Sequence, residues 1–185
     1  MNIPNFLSLL RIILVPVFVI FLMQAEYDRA LITFIIAGLT DALDGTLARL
    51  LQCQTVLGSY LDPIADKLLL VTSFVMLAII GLIPAWLAVV VISRDFIILL
   101  GIAIFSLMSI AYEIKPAIIG KITTAFQVAT IFFALLNKAL PQNFGDFWVA
   151  ILFWATALFT FGSGVVYILR GIRILNKSAP EQAKK

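Results

Sequence analysis

The chain has 185 residues, 63% of them hydrophobic and 12% charged, with a net charge of +3. A mean hydropathy of +1.12 excludes a soluble globular domain and implies a polytopic membrane protein, and so small a net charge gives no reason to expect nucleic acid as a partner. The absence of histidine removes the commonest zinc ligand and general base, and the single cysteine, Cys53, excludes an intrachain disulfide or a cysteine metal cluster.

The elements can be taken in chain order. Asn2 to Arg11 reads as an N-terminal amphipathic segment, with Phe6, Leu7, Leu10 and Ile13 on one side and Arg11 directed toward lipid head groups. The apolar run continues through Pro16 to about Gln24. A second helix is predicted from about Asp28 to Leu51 and a third from near Gly58 through the uncharged stretch Leu68–Gly81. Pro84 opens a fourth, reaching about Ala111. A fifth spans about Ala117 to Asn137. After the turn cluster Pro141–Asp146, a sixth runs from Phe147 to Leu169. Each can supply the roughly 20 residues that a bilayer core demands. The expected fold is therefore all-α, with six transmembrane helices in one membrane domain, residues 1–177. A polar cytoplasmic tail, 178–185, is expected to be disordered.

Orientation follows from lysine and arginine counts. With six spans both termini share a side, and that side carries Arg11, Arg49, Lys115, Lys121, Arg170, Arg173, Lys177, Lys184 and Lys185. The opposite side carries only Arg29 and Lys138. Both termini are expected to be cytoplasmic. No Arg- and Ser-rich leader or cleavable signal precedes the first span. The expectation is a bacterial inner-membrane protein, with an organellar protein lacking its leader as the second option.

The stretch from Asp41 to Asp66 holds four of the ten acidic residues. A carboxylate at membrane depth costs on the order of 2.5–3.5 kcal/mol and is by default a functional residue. Asp41 and Asp44 are i, i+3; Asp62 and Asp66 are i, i+4. Each pair shares a helix face. A short polar turn between the two helices would make them antiparallel neighbours and let all four carboxylates converge. So many like charges must either stay partly protonated or be held by hard divalent cations, for which an all-oxygen set suits Mg²⁺, Mn²⁺ or Ca²⁺. Two such ions would suit transfer at a phosphorus centre. Gly45 and Gly58 suggest close approach of something bulky, and Arg49 is a cation suited to phosphate.

The pattern Asp41-x-x-Asp44-Gly45-x-x-Ala48-Arg49-x8-Gly58-x3-Asp62-x3-Asp66 resembles the signature of the CDP-alcohol phosphatidyltransferase family, with every fixed position present. The resemblance implies transfer of a phosphatidyl group from CDP-diacylglycerol to an alcohol, with release of CMP. It implies that Asp41, Asp44, Asp62 and Asp66 bind divalent cations, Mg²⁺ or Mn²⁺, two per site. Asp66 would also be the catalytic base. Gly45, Ala48, Arg49 and Gly58 would lie against the CDP moiety, and Asn5, Ser8 and Arg11 would help bind the nucleotide. Homodimers are typical of such proteins.

Charges outside the motif bear on the acceptor. Arg94-Asp95 lies mid-way along the fourth helix. Adjacent helix positions point about 100° apart and pair poorly, so Arg94 is expected to face a polar cavity; a buried Arg94–Asp95 pair joining helices is the other reading. Gly120-Lys121-x-x-Thr124-x-x-Gln127 resembles a segment of the branches that make phosphatidylglycerophosphate and, in eukaryotic-type enzymes, cardiolipin. Arg94, Lys115 and Lys121 would then surround the acceptor, although Lys121 also reads as a snorkelling interfacial lysine. The resemblance favours sn-glycerol 3-phosphate as acceptor. Ile102, where the glycerol 3-phosphate branch carries a second arginine, keeps phosphatidylglycerol open as the alternative. Trp86, Trp148, Trp154 and Tyr167 read as interface residues. A metal or ion transporter is the remote non-enzymatic reading. It would need polar residues through both leaflets, and the outer halves of the helices are apolar.

Overall fold

A computed structural model describes the backbone of residues 3–51, 56–107, 118–140 and 145–182, and side-chain surroundings for 7–41, 65–105, 107, 118–140, 145 and 147–174. It is all-helical there: α1 (Ile3–Met23), α2 (Tyr27–Leu51), α3 (Val56–Ile79), α4 (Ala85–Leu107), α5 (Ile118–Ala139) and α6 (Asp146–Gln182). Among the described residues three helical stretches are long and apolar enough to cross a membrane, Ala85–Phe105, Ile118–Ala139 and Phe147–Ile174, and Leu7–Met23 is a shorter apolar helix.

Two connections end their helices by the same device. At the end of α1 the Glu26 amide donates to the Phe21 carbonyl and the Ala25 amide to that of Leu22. At the end of α3 the Leu82 amide donates to Leu77 and the Gly81 amide to Ala78. Both are Schellman motifs, which need a left-handed residue after the helix. Gly81 supplies it at φ +75°, and Ala25 adopts it at φ 58° despite its Cβ.

Packing closes the helices into a ring. α1 packs on α2 and α3, α2 on α5, α5 on α6, α6 on α4, and α4 on α3, with α3 also touching α5 across the ring. α1 thus lies between α2 and α3, the two helices that carry the aspartates.

The ring has two unlike halves. One is filled by an apolar core in which Val15, Phe18 and Leu22 of α1 meet Phe34 of α2, Phe74 and Leu77 of α3, Leu87 of α4 and Leu135 of α5. The other half, toward the start of α1 and the end of α2, buries polar groups: Ser8, Arg11, Thr40, Arg94 and Asp95. Meanwhile Ile13, Leu39, Leu99, Trp154 and Phe161 are exposed. Outward apolar and inward polar faces suit a lipid surrounding, where a charge must face the bundle interior.

Several expectations are corrected. The stretch from Asn5 through Pro16 is one continuous helix with the first apolar run. Its polar face points inward: Ser8, Arg11, Val15, Phe18 and Leu22 are buried at alternating spacings of three and four, and Ile13 is exposed. Arg11 is therefore not directed to head groups. α6 extends well past Leu169, and residues 178–182 of the tail expected to be disordered are helical. An existing helix lengthens without a new nucleus, here even through Ser178 and Pro180, which are poor helix formers. Cys53, Lys115 and the turn cluster around Pro141 lie outside the described residues.

Candidate functional site

The polar half of the ring is built from three aspartates and their cations. Arg11 of α1 is completely buried, and its Nη1 lies 2.6 Å from Oδ1 of Asp41 on α2, whose carboxylate is half exposed. Among the described residues none of its three nitrogens has a well-formed hydrogen bond, the Nη1–Asp41 contact being a close ion pair. Buried donors are almost always paired, and unmet N–H groups beside a metal-type carboxylate suit an incoming anion. Asp66 on α3 is half buried and within electrostatic reach of Asp41, Lys67, Arg11 and Asp95. Asp41 and Asp66 are thus near enough to feel each other's charge.

Asp44, Gly45, Ala48, Arg49, Gly58 and Asp62 lie in α2 and α3, but their side chains are outside the described residues, as is that of Asn5. Among the described residues no three acidic, histidine or cysteine side chains gather as a metal site. The donor chemistry that is described, carboxylate oxygens of Asp41 and Asp66, fits a hard divalent cation. Ser8 is fully buried on α1, one turn before Arg11.

A second polar network begins next to Asp66. Lys67 Nζ lies 2.5 Å from Oδ2 of Asp95, and Arg94 Nη1 lies 2.7 Å from Oδ1 of the same carboxylate. Arg94 Nη2 and Nε donate to Ser163 Oγ on α6 at 3.0 and 3.3 Å. The guanidinium stands 5.4 Å from the centre of the Tyr167 ring, and its stem packs over Gly164. Arg94 and Asp95 thus do pair, against expectation. The arginine side chain is long enough to curl back to its neighbour, and burial leaves no water to compete. Arg94 is held in a network of side chains to which Tyr167 also belongs. Lys67 had no role in the sequence reading. Its partner lies 28 residues away, so only the packing of α3 on α4 reveals it.

Gly120 has a specific reason to be glycine. A Cβ there would stand 2.7 Å from Tyr167 Oη and 3.4 Å from Arg94 Nη2. Lys121, the next residue, is exposed. It lines an apolar groove of about 750 Å³ between α2 and α5, with Phe34, Gly38 and Leu39 on one wall and Thr124 and Val128 on the other. Gly38, on the groove wall, is one turn before Asp41 on α2. Gln127 is a seam residue: buried, it donates to Thr160, while Thr130 and Thr156 hydroxyls lie 2.6 Å apart in the same α5–α6 contact.

These features define a class: a helical membrane protein that carries carboxylates and cations together inside the ring and an apolar groove between α2 and α5. Such a site fits a ligand with an anionic head and apolar tails. The family model for CDP-alcohol phosphatidyltransferase matches residues 1–162, and the chain belongs to that family. It is 35% identical to CDP-diacylglycerol–glycerol-3-phosphate 3-phosphatidyltransferase of Bacillus subtilis, over 96% of this chain and 98% of the relative. It is 34% identical to the CMP-forming cardiolipin synthase of Rattus norvegicus, over 90% of this chain and 60% of the relative. It is 32% identical to a probable phosphatidylglycerophosphate synthase of Mycobacterium tuberculosis, over 93% and 82%.

Proposed function

We propose that this protein transfers a phosphatidyl group from CDP-diacylglycerol to sn-glycerol 3-phosphate, giving phosphatidylglycerophosphate and CMP. The observation that supports the reading is Arg11, fully buried against Asp41, with Asp66 within electrostatic reach of both. The groove takes the acyl tails of the donor. Arg11, with Arg49 and the glycines of the motif, takes its phosphates and nucleotide.

In the reaction the acceptor hydroxyl oxygen attacks the β-phosphorus of the donor. The bond from that phosphorus to the bridging oxygen breaks and CMP departs. Asp66 accepts the hydroxyl proton. Asp41, Asp44, Asp62 and Asp66 would hold one or two divalent cations, Mg²⁺ or Mn²⁺, which supply charge neutralisation at the pyrophosphate. The helices form six spans, both termini and the aspartates face the cytoplasm of a bacterial inner membrane, and the protein is a homodimer.

Phosphatidylglycerol is the second acceptor reading, favoured by Ile102 standing where the first branch has arginine. Ile102 is 40% exposed and roughly 12 Å along α4 from Arg94 at 1.5 Å per residue. A cation there would point away from the network that holds Arg94, so its absence weighs little against glycerol 3-phosphate. The test is purified protein with CDP-diacylglycerol, Mg²⁺ or Mn²⁺ and each acceptor, the lipid product identified by mass. Phosphatidylglycerophosphate is expected. Cardiolipin from phosphatidylglycerol, with no product from glycerol 3-phosphate, would overturn the assignment. Asn substitution of each aspartate should lower CMP release by about 10²-fold or more; full activity of Asp44→Asn, or in excess chelator, would refute the metal assignment.

A further inference from the structure

Asp95 is shared. One oxygen lies against Arg94 and the other against Lys67, so two cations stand on one carboxylate, which is almost wholly buried together with Arg94. Without Lys67, Asp95 would neutralise Arg94 alone. With it, the trio keeps one positive charge in excess. The guanidinium has five N–H donors, and its contacts with Ser163 and Asp95 use three of them. The structure therefore presents a buried, fixed arginine with donors to spare and a carboxylate diverted from it.

We propose that Lys67 sets how strongly Arg94 attracts an anion, by dividing the charge of Asp95. Lys67 is a positioning residue in this scheme: it acts on the ligand through Asp95 and Arg94. The ligand class is the phosphate of the acceptor alcohol, and the inference rests on the acceptor being anionic, as both glycerol 3-phosphate and phosphatidylglycerol are. A buried charge pair screens little, so a change at Lys67 reaches Arg94 with small loss.

The test uses three conservative variants of the full protein. Lys67→Gln keeps a donor for Asp95 and removes the charge; it should raise the acceptor KM about tenfold or more, with the KM for CDP-diacylglycerol unmoved. Lys67→Arg should stay near wild type. In Lys67→Gln with Asp95→Asn, Arg94 again has an uncompensated charge, and the acceptor KM should return to within a few-fold of wild type. A simple strut would behave otherwise, since removing the second partner would deepen the defect. A double variant no better than Lys67→Gln, or an equal rise in both KM values, would overturn the proposal. Inorganic phosphate gives a readout independent of turnover. Its protection against thermal unfolding should weaken in Lys67→Gln and return in the double variant; protection unchanged across the panel would also overturn the proposal. If neither acceptor yields product with wild-type protein, the functional reading fails, and the phosphate series still decides the role of Lys67.

Discussion

Arg11 shows how a single residue trades stability against binding. Its guanidinium is fully buried, yet Asp41 is its one ion-pair partner and its nitrogens lack well-formed hydrogen bonds among the described residues. Holding a guanidinium out of water is costly, and Asp41, half exposed, can be solvated when its partner is lost. Arg11→Met should therefore raise the thermal midpoint of the ligand-free protein and raise the KM for CDP-diacylglycerol. A lower midpoint would mean that the pair with Asp41 outweighs desolvation. Gly120→Ala makes a second prediction at this scale. Its Cβ would collide with Tyr167 Oη, so acceptor KM should rise severalfold, and removing the hydroxyl with Tyr167→Phe should recover most of the loss. No recovery would place the defect in the helix itself. The aspartates and Arg94 were legible in the sequence because a charge in an apolar run demands an explanation. The direction of Arg11 was not, because an amphipathic helix read for water is inverted in lipid: its polar stripe faces inward. Lys67 was illegible for another reason, since a pair between α3 and α4 exists only once those helices are placed side by side.

At the scale of elements, the turns carry the clearest signals. Gly81-x-x-Pro84 marks the α3–α4 connection, and α2 and α5 begin and end within about two residues of where the pattern puts them. The end of α1 was legible to within about one residue of Gln24, although Ala25 there holds a left-handed conformation that sequence normally assigns to glycine. That strain is testable. Ala25→Gly should stabilise the protein by roughly 0.5–1 kcal/mol and Gly81→Ala should destabilise it by a similar amount, the left-handed penalty being partly offset by glycine's freer unfolded chain. Thermal midpoints in detergent measure both. Equal effects of the same sign would show that the turns are not held by this motif. The α5–α6 seam predicts the opposite kind of result. Thr130→Val should weaken the protein by only about 0.6 kcal/mol, because hydrogen bonds between membrane helices contribute little each.

Across the whole molecule, order in the ring differs from order in the chain. Only four residues of the chain separate α2 from α3, yet α1 packs between them and α5 is the other neighbour of α2. Sequence adjacency suggested a simple hairpin of aspartate helices; the interposed helix brings Arg11 into the site. The lysine and arginine asymmetry makes a molecule-scale prediction. An impermeant thiol reagent applied to intact cells should leave Cys53 unmodified and should modify it after permeabilisation; labelling from outside would reverse the orientation.

The Arg11–Asp41 contact also bears on how the chain reaches the bilayer. An arginine in an apolar helix opposes its entry into a bilayer by about 2.5–3.5 kcal/mol, and α1 is synthesised before α2. α2 is separated from α1 by three residues, so the two can enter together as one antiparallel unit whose opposite charges travel side by side. The contact that prepares a binding site in the finished protein thereby also lowers the barrier to its own biogenesis, and a nascent chain ending before Asp41 should be retained in the membrane less efficiently than one that includes it.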